Sequence, residues 1–349
     1  MAGQLVIDGR VVNDESDCYV IAEIGHNHQG ELEKCQQLFV AAKEAGASAV
    51  KLQKRHNRSL FTRAMYEQPY NSENAFAPTY GEHREYLEFD REQYLALKAF
   101  AKELGITFFA TAFDVPSADF LQALDMPAFK IASGDLRNIP LMRHVAAFGK
   151  PMIVSTGGGS LDDVQRAYDA IMPINSQLCV LQCTASYPCE VEKLNLRVIE
   201  TFRRVFPDVV VGLSSHDNGI AMPLVAYMLG ARVVEKHFTL NRAWKGTDHA
   251  FSLAPDGLRR MVRDLHRART ALGDGNKRTL PEEEVPLTKM GKKLVAARNL
   301  PSGHALTASD ILIKSPGDGL PPYYLDEVIG RRLAKALAED EDIQLESLQ

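Results

Sequence analysis

Eight short apolar runs recur along the chain, at residues 19–24, 49–53, 106–111, 128–133, 152–155, 178–184, 209–215 and 232–238. Each carries a polar or charged residue at or beside its end, and the last closes in Glu235-Lys236-His237. The stretches between them are long enough for helices, and strands alternating with helical stretches argue for a parallel sheet. Eight such units over roughly 250 residues suit a closed (β/α)8 TIM barrel, an α/β fold whose active site is built from the C-terminal strand ends. Attention therefore falls on Glu23, Lys51, Gln53, Thr111, Lys130, Ser133, Ser155, Thr184, Ser214, His216 and His237.

A chain of 349 residues exceeds one barrel. The expected division is a catalytic barrel over 1–272, a Gly/Lys/Pro/Glu-rich linker over 273–289 and a small C-terminal domain over 290–349. A domain that small buries little core of its own and gains from docking on a partner. Residues 1–16 read as a hairpin, a lid for the barrel bottom. Residues 31–46 and 255–272 have helical patterning. The long polar segment 54–88 follows a strand and so belongs to the catalytic face.

The net charge of −5 and the absence of a basic patch argue against nucleic acid as a partner. No run of about 18 apolar residues suggests a membrane span, and the first residues do not resemble a signal peptide. The five cysteines form no C-x-x-C pair, and Cys179 and Cys183 fall on one strand. Reduced core thiols in a cytoplasmic protein are expected.

His216 and His237 fall at the ends of neighbouring strands. Two imidazoles with nearby oxygen suit Mn2+, Zn2+ or Fe2+, with Glu23 or Asp248 as the oxygen source; satisfied core histidines are the alternative. Lys51 and Gln53 share parity and point to one side of the sheet. Lys130 also lies within an apolar strand, in Phe129-Lys130-Ile131. A buried lysine must pair or lose its proton, so two at strand ends imply a cationic mouth for a carboxylate or phosphate. Ser133-Gly134, Ser155-Thr156-Gly157-Gly158-Gly159 and Ser214-Ser215 add hydroxyl and backbone donors. Glu23 suits a proton-positioning role, a salt bridge to Lys51, or both.

At these residues the chain resembles the sialic acid (N-acetylneuraminate) synthase family. The similarity is carried by Ala22-Glu23-Ile24-Gly25-x-Asn27-His28-x-Gly30, Lys51-x-Gln53, Phe129-Lys130-Ile131-x-Ser133-Gly134, Gly149-Lys150-Pro151, Gln182-Cys183-Thr184-x-x-Tyr187-Pro188, Gly212-Leu213-Ser214-x-His216 and Glu235-Lys236-His237. Several motifs in fixed order over nearly the whole chain make it specific. The resemblance implies condensation of phosphoenolpyruvate with an N-acylated hexosamine, such as N-acetylmannosamine or its 6-phosphate, to a nonulosonic acid and phosphate. It implies a divalent metal, commonly Mn2+ with Mg2+ or Co2+ as alternatives, held by His216 and His237. It places phosphoenolpyruvate on Lys51, Thr111, Lys130, Ser133, Ser155 and Ser214, and the sugar against Gln53, Asp135, Tyr187 and Asp248. Glu23, Lys51, Lys130 and His237 become the catalytic set. The C-terminal segment becomes an antifreeze-like (SAF) β-clip domain that caps the site of the other subunit in a domain-swapped homodimer.

Two positions depart from the family pattern. Ala185 stands where many bacterial members have asparagine, and Ser315 stands where many have the arginine that meets the acyl group. The segment Gln68-Pro69-Tyr70-Asn71-Ser72 with Tyr80-Gly81-Glu82-His83 is similar to the animal-type branch, which acts on the 6-phosphate. Arg55, Arg58, Arg63 and Arg84 surround it and serve either a second phosphate or a solvated loop surface. Rival readings are synthesis of another nonulosonic acid (KDN, legionaminic or pseudaminic acid), a lysine Schiff-base pyruvate aldolase, a condensation with an arabinose or erythrose phosphate, and a non-enzymatic ice- or carbohydrate-binding protein.

Overall fold

The computed structural model describes residues 3–349, which form two compact units that divide between Leu272 and Gly273. The first begins with a hairpin of β1 (Leu5–Ile7) and β2 (Arg10–Val12). Its turn residues Asp8 and Gly9 have φ of 51° and 78°, the left-handed pair that matches the twist of a tight hairpin. Eight parallel strands follow: β3 (Tyr19–Gly25), β4 (Ala49–Lys54), β5 (Thr107–Ala112), β6 (Phe129–Ile131), β7 (Met152–Ser155), β8 (Leu178–Cys183), β9 (Val210–Ser215) and β10 (Val233–His237). They close into a barrel in which β10 pairs with β3. Helices alternate with the strands, and the last is Pro255–Leu272, at the place its apolar spacing indicates.

The period of two along each strand builds two cores. Val20, Ala22, Val50, Leu52, Val180 and Val234 face outward and pack with the helices. The opposite parity faces inward. Tyr19, Ile21, Ala49, Phe109, Ala128, Ile153, Cys179, Leu181, Val210 and Val233 fill the barrel's lower interior together with Leu5, Ile7 and Val12. The hairpin is therefore the apolar plug of the barrel bottom. Continuing the inward parity towards the C-terminal ends replaces these apolar residues with Glu23, Lys51, Gln53, Thr111, Lys130, Ser155, Ser214, Glu235 and His237. The polar layer lies at the C-terminal face because the apolar layer beneath it seals the other end.

Segment 54–88 carries three short helices, Asn57–Leu60, Arg63–Tyr66 and Tyr80–Tyr86. The last starts from a capping box of Thr79 and Glu82. All five cysteines are buried free thiols. Among the described residues, no helix is long and apolar enough to cross a membrane.

In the second unit, the segment expected as a bare linker contains a 3-10 turn, Pro281–Glu283, and a helix, Glu284–Met290. Pro286 does not prevent that helix because it occupies the first turn, where its missing N–H has no intrahelical partner to lose. Strands β11 (Lys293–Ala296) and β12 (Ile311–Lys314) pair antiparallel, over a small core that includes Leu294, Leu300, Leu306, Ile311, Leu333 and Ile343.

One buried carboxylate organises this unit. Asp310 is 1 % exposed in its side chain and lies 2.6 Å from Arg298 and 2.9 Å from His304. It also accepts from Thr307 Oγ1 (2.6 Å) and Thr307 N (2.9 Å). Hydrogen bonds from Thr307 and His304 hold its carboxyl well below the usual carboxylate range. A depressed folded-state pKa contributes stability that is present above the unfolded value, near 3.9, and is lost as pH falls through the folded value. Asp310→Asn is therefore expected to destabilise this unit by about 1–3 kcal/mol at neutral pH and to flatten its acid dependence. Urea unfolding of the full chain across the acid range checks both.

Candidate active site

Barrel closure gathers the polar strand ends around one cavity of about 760 Å³, within the size range of small-molecule sites. Glu23, Lys51, Gln53, Thr111, Lys130, Ser133, Ser155, Tyr187, Ser214, His216, His237 and Asp248 all line it. Two residues expected near the site do not. Thr184 turns its hydroxyl to the Lys193 carbonyl (2.9 Å). Asp135 sits on the 3-10 turn after β6 and accepts from Asn138 (3.0 Å), because the chain leaves the strand at Ser133 and rotates this side chain towards its own turn.

The floor is a four-charge network. Lys51 Nζ lies 2.6 Å from Glu23 Oε2 and donates to Thr111 Oγ1 at 2.6 Å. Gln53 Nε2 donates to Glu23 Oε1 at 2.7 Å. Glu235 lies between the lysines, 3.9 Å from Lys51 and 3.6 Å from Lys130, and accepts from Ser214 Oγ at 3.3 Å. All four charges are buried. Burial penalises charge, and pairing restores it unequally. Burial raises the Glu23 carboxyl above its ordinary range, with Lys51 opposing. Burial would raise Glu235 too, but Lys130 and Lys51 outweigh it and hold it low. Burial lowers Lys130. Two carboxyl groups are thus driven apart, one towards holding a proton and one towards staying ionised, a separation that marks acid–base sites.

The rim holds the two imidazoles, with ring centroids 5.4 Å apart. The Tyr187 ring lies tilted against His216, with centroids 4.0 Å apart, and Phe251 packs on His237 at 5.0 Å. His216 Nδ1 donates to the Thr184 carbonyl (3.0 Å), which leaves its other nitrogen as a lone-pair donor. Burial, then His237, pushes His216 down to about 4. Burial also lowers His237 against the pull of Asp248 and Glu235. Beside the rings, Lys236 Nζ lies 2.9 Å from Asp217 Oδ1, and Ser215 also donates to that carboxylate. This buried pair ties the ends of β9 and β10 together.

Several groups keep unused hydrogen-bonding capacity. Ser155 Oγ, Glu235 Oε2 and His237 Nδ1 are buried with no hydrogen-bond partner among the described residues. Neutral imidazoles with an open ring nitrogen fit a divalent cation. No group of three or more His, Cys, Asp or Glu residues gathers to hold one among the described residues. Glu23 is engaged by Lys51, and Asp248 Oδ2 stays 3.7 Å from His237 Nδ1.

Gly157 shows why the triple glycine is needed. Its N–H donates to Ser133 Oγ at 2.9 Å, and a Cβ there would lie 2.8 Å from that oxygen and 3.0 Å from the Ala185 Cβ. Ala185 lines the cavity, so this wall carries no amide. Lys314, next to Ser315, is ion-paired with Asp340. Of the four loop arginines, Arg55 and Arg84 line the cavity. Arg58 instead lies over the Tyr66 ring at 3.7 Å, and Arg63 is exposed and paired with Glu67. The residue that sequence reasoning left without a role is Glu235. Its signal was parity, because it stands two residues before His237 on one strand.

Fold and site together define a (β/α)8-barrel enzyme with a buried network of lysines and carboxylates at its mouth. The model of the NeuB family matches residues 38–277 and that of the SAF domain matches residues 293–349; the chain belongs to the NeuB family. It is 39% identical over 342 residues to N-acetylneuraminate-9-phosphate synthase of Mus musculus, covering 98% of this chain and 95% of that protein. It is 40% identical over 339 residues to the Homo sapiens protein of the same name, covering 97% and 94%. Among solved structures, N-acetylneuraminic acid (sialic acid) synthetase from Leptospira borgpetersenii, in complex with citrate, is similar with a TM-score of 0.72 and 29% identity, over 82% of this chain and 95% of that one.

Proposed function

We propose that this enzyme condenses phosphoenolpyruvate with N-acetylmannosamine or its 6-phosphate, releasing phosphate and forming N-acetylneuraminate or its 9-phosphate. The observation that carries the reading is the convergence of Lys51, Lys130 and two neutral imidazoles on one cavity, in a chain similar over nearly its full length to synthases of this kind.

Lys51, Thr111, Lys130, Ser133, Ser155 and Ser214 bind the carboxylate and phosphate of phosphoenolpyruvate. Gln53, Tyr187 and Asp248 face the sugar; the expected part of Asp135 is given up, since its carboxylate is turned to Asn138. A divalent cation, Mn2+ by preference with Mg2+ or Co2+ as alternatives, would be held by His216 and His237 and would supply Lewis acidity towards the sugar aldehyde. The enol π pair of phosphoenolpyruvate forms the new bond from carbon 3 to the aldehyde carbon. Glu23, whose burial favours the protonated form, delivers a proton to the aldehyde oxygen. Carbon 2 becomes electron-deficient beside Glu235, which stays ionised and stabilises that charge electrostatically. Water then adds at carbon 2 and loses a proton. The C–O bond to phosphate then breaks, phosphate takes the bond pair, the carbon 2 hydroxyl gives its proton to the departing phosphate, and a ketone remains. The assembly we propose is a domain-swapped homodimer in the cytoplasm, with the SAF domain of one copy over the site of the other.

Phosphate release from phosphoenolpyruvate with Mn2+ tests this. Release is expected with N-acetylmannosamine or its 6-phosphate, and not with mannose 6-phosphate or a bacillosamine-derived hexose. Borohydride with pyruvate should leave the protein mass unchanged. A pyruvyl adduct on Lys130 or Lys51, with no phosphate released, would establish the aldolase reading instead.

A further inference from the structure

One buried ion pair beside the rim takes no part in the chemistry above. Lys236 and Asp217 are each 1% exposed, and neither lines the cavity. On β10, Val233, Glu235 and His237 share the inward parity, so Val234 and Lys236 face outward. Val234 packs in the apolar layer between strands and helices. Lys236 holds the next outward place, where a parallel strand ordinarily carries an aliphatic side chain. Its ammonium lies 2.9 Å from Asp217 Oδ1 and donates to the Asp217 carbonyl at 2.6 Å. Ser215 Oγ donates to the same carboxylate. Lys236 therefore grips both the backbone and the side chain of residue 217.

Each partner is the chain neighbour of an imidazole. Asp217 follows His216, and Lys236 precedes His237. The β9–β10 register ends at Ser215 opposite Lys236, so His216 lies past the last residue that the sheet aligns with β10. His237 is aligned instead with Glu23 of β3. The two rings, with centroids 5.4 Å apart, thus stand on strand ends that no ladder pair couples. His216 is also held from the opposite side, where its carbonyl accepts from Cys189 N at 3.1 Å and its Nδ1 meets the Thr184 carbonyl. Both of those contacts lead to the chain after β8. The tie across to β10 is the grip of Lys236 on residue 217.

Stability alone does not call for this pair. Apolar residues of similar volume in such a layer are often as stabilising or more so, because two buried charges carry a desolvation penalty. A buried charge pair supplies what apolar contact lacks, a single geometry fixed by directed hydrogen bonds. Resting on the reading that His216 and His237 hold a divalent cation, we infer that Lys236 and Asp217 are positioning residues whose pairing sets the separation of the two imidazoles. They act through the backbone at 216 and 237 and touch neither cation nor substrate.

The test is calorimetric titration of the full chain with Mn2+ in the absence of substrates, beside thermal unfolding and the Mn2+ dependence of phosphate release. Lys236→Met combined with Asp217→Asn removes both charges. It is expected to unfold near the wild-type temperature and to bind Mn2+ more weakly by about tenfold to a hundredfold. The Mn2+ concentration for half-maximal phosphate release should rise by the same factor, with most of kcat recovered at saturating Mn2+. Asp217→Asn alone keeps an oxygen acceptor for Lys236 and Ser215, should weaken Mn2+ binding by about tenfold, and decides the matter if the double variant does not fold. Wild-type Mn2+ affinity in the variant that decides overturns the inference and leaves the pair a structural one. A fall in kcat at unchanged affinity, unrelieved by saturating Mn2+, overturns it as well. Failure of the underlying reading looks different: the wild type then binds no Mn2+, or His237→Ala binds it with wild-type affinity.

Discussion

His237→Ala should fold like the wild type and lose about 10³-fold of its phosphate-release rate. His216→Ala should do the same, and the double variant should be little worse, since groups acting as one unit do not lose additively. The rings sit on top of the apolar interior and not within it, so their removal leaves the lower barrel packing untouched. What disappears is a pair of neutral nitrogen donors, one of them unpartnered among the described residues. Calorimetric titration with Mn2+ gives a readout independent of turnover, and both single variants should bind it far more weakly. If the two variants keep full rate after chelation, the histidines do not hold a catalytic metal.

The second large effect separates stability from catalysis. Lys130→Met fills similar space but strips Glu235 of one of its two cations, leaving Lys51 at 3.9 Å. Removing one member of a buried charge pair costs about 3–5 kcal/mol, softened here because Glu235 can take up a proton as its pKa rises. Turnover should fall by about 10³-fold, with a higher KM for phosphoenolpyruvate. Lys130→Met combined with Glu235→Gln removes both charges together. That double variant should recover most of the thermal stability and none of the turnover. Recovered activity would mean that Lys130 serves only to neutralise Glu235.

How much of this was legible beforehand follows from the range of each interaction. The barrel could be read from the alternation of apolar runs and helical stretches, and the hairpin lid from Asp8-Gly9-Arg10 between Leu5-Val6-Ile7 and Val11-Val12. The helix Pro255–Leu272 was bounded correctly, while the helix Glu284–Met290 was hidden behind a proline-bearing, charged composition. Lys51, Gln53 and Lys130 were conspicuous because lysine and glutamine inside apolar strands violate local expectation. Asp135 was drawn towards the site by its place in a motif, but its turn directs it to Asn138. Arg58 and Arg63 had the same standing in sequence as Arg55 and Arg84. Only the packing of the inserted segment sorts them, two onto the cavity and two onto Tyr66 and Glu67.

The order of residues determined which side chains face into the barrel, because a strand alternates every second position and the apolar runs set the phase. It thereby determined that charge would crowd the C-terminal ends. The order alone does not say which charges meet. Closure brings His237 beside Glu23, more than two hundred positions apart, and sets Glu235 between two lysines from separate strands. Those meetings decide which carboxyl is pushed up and which is held low, because electrostatic energy depends on distance and burial, and both come into being only when the chain closes on itself.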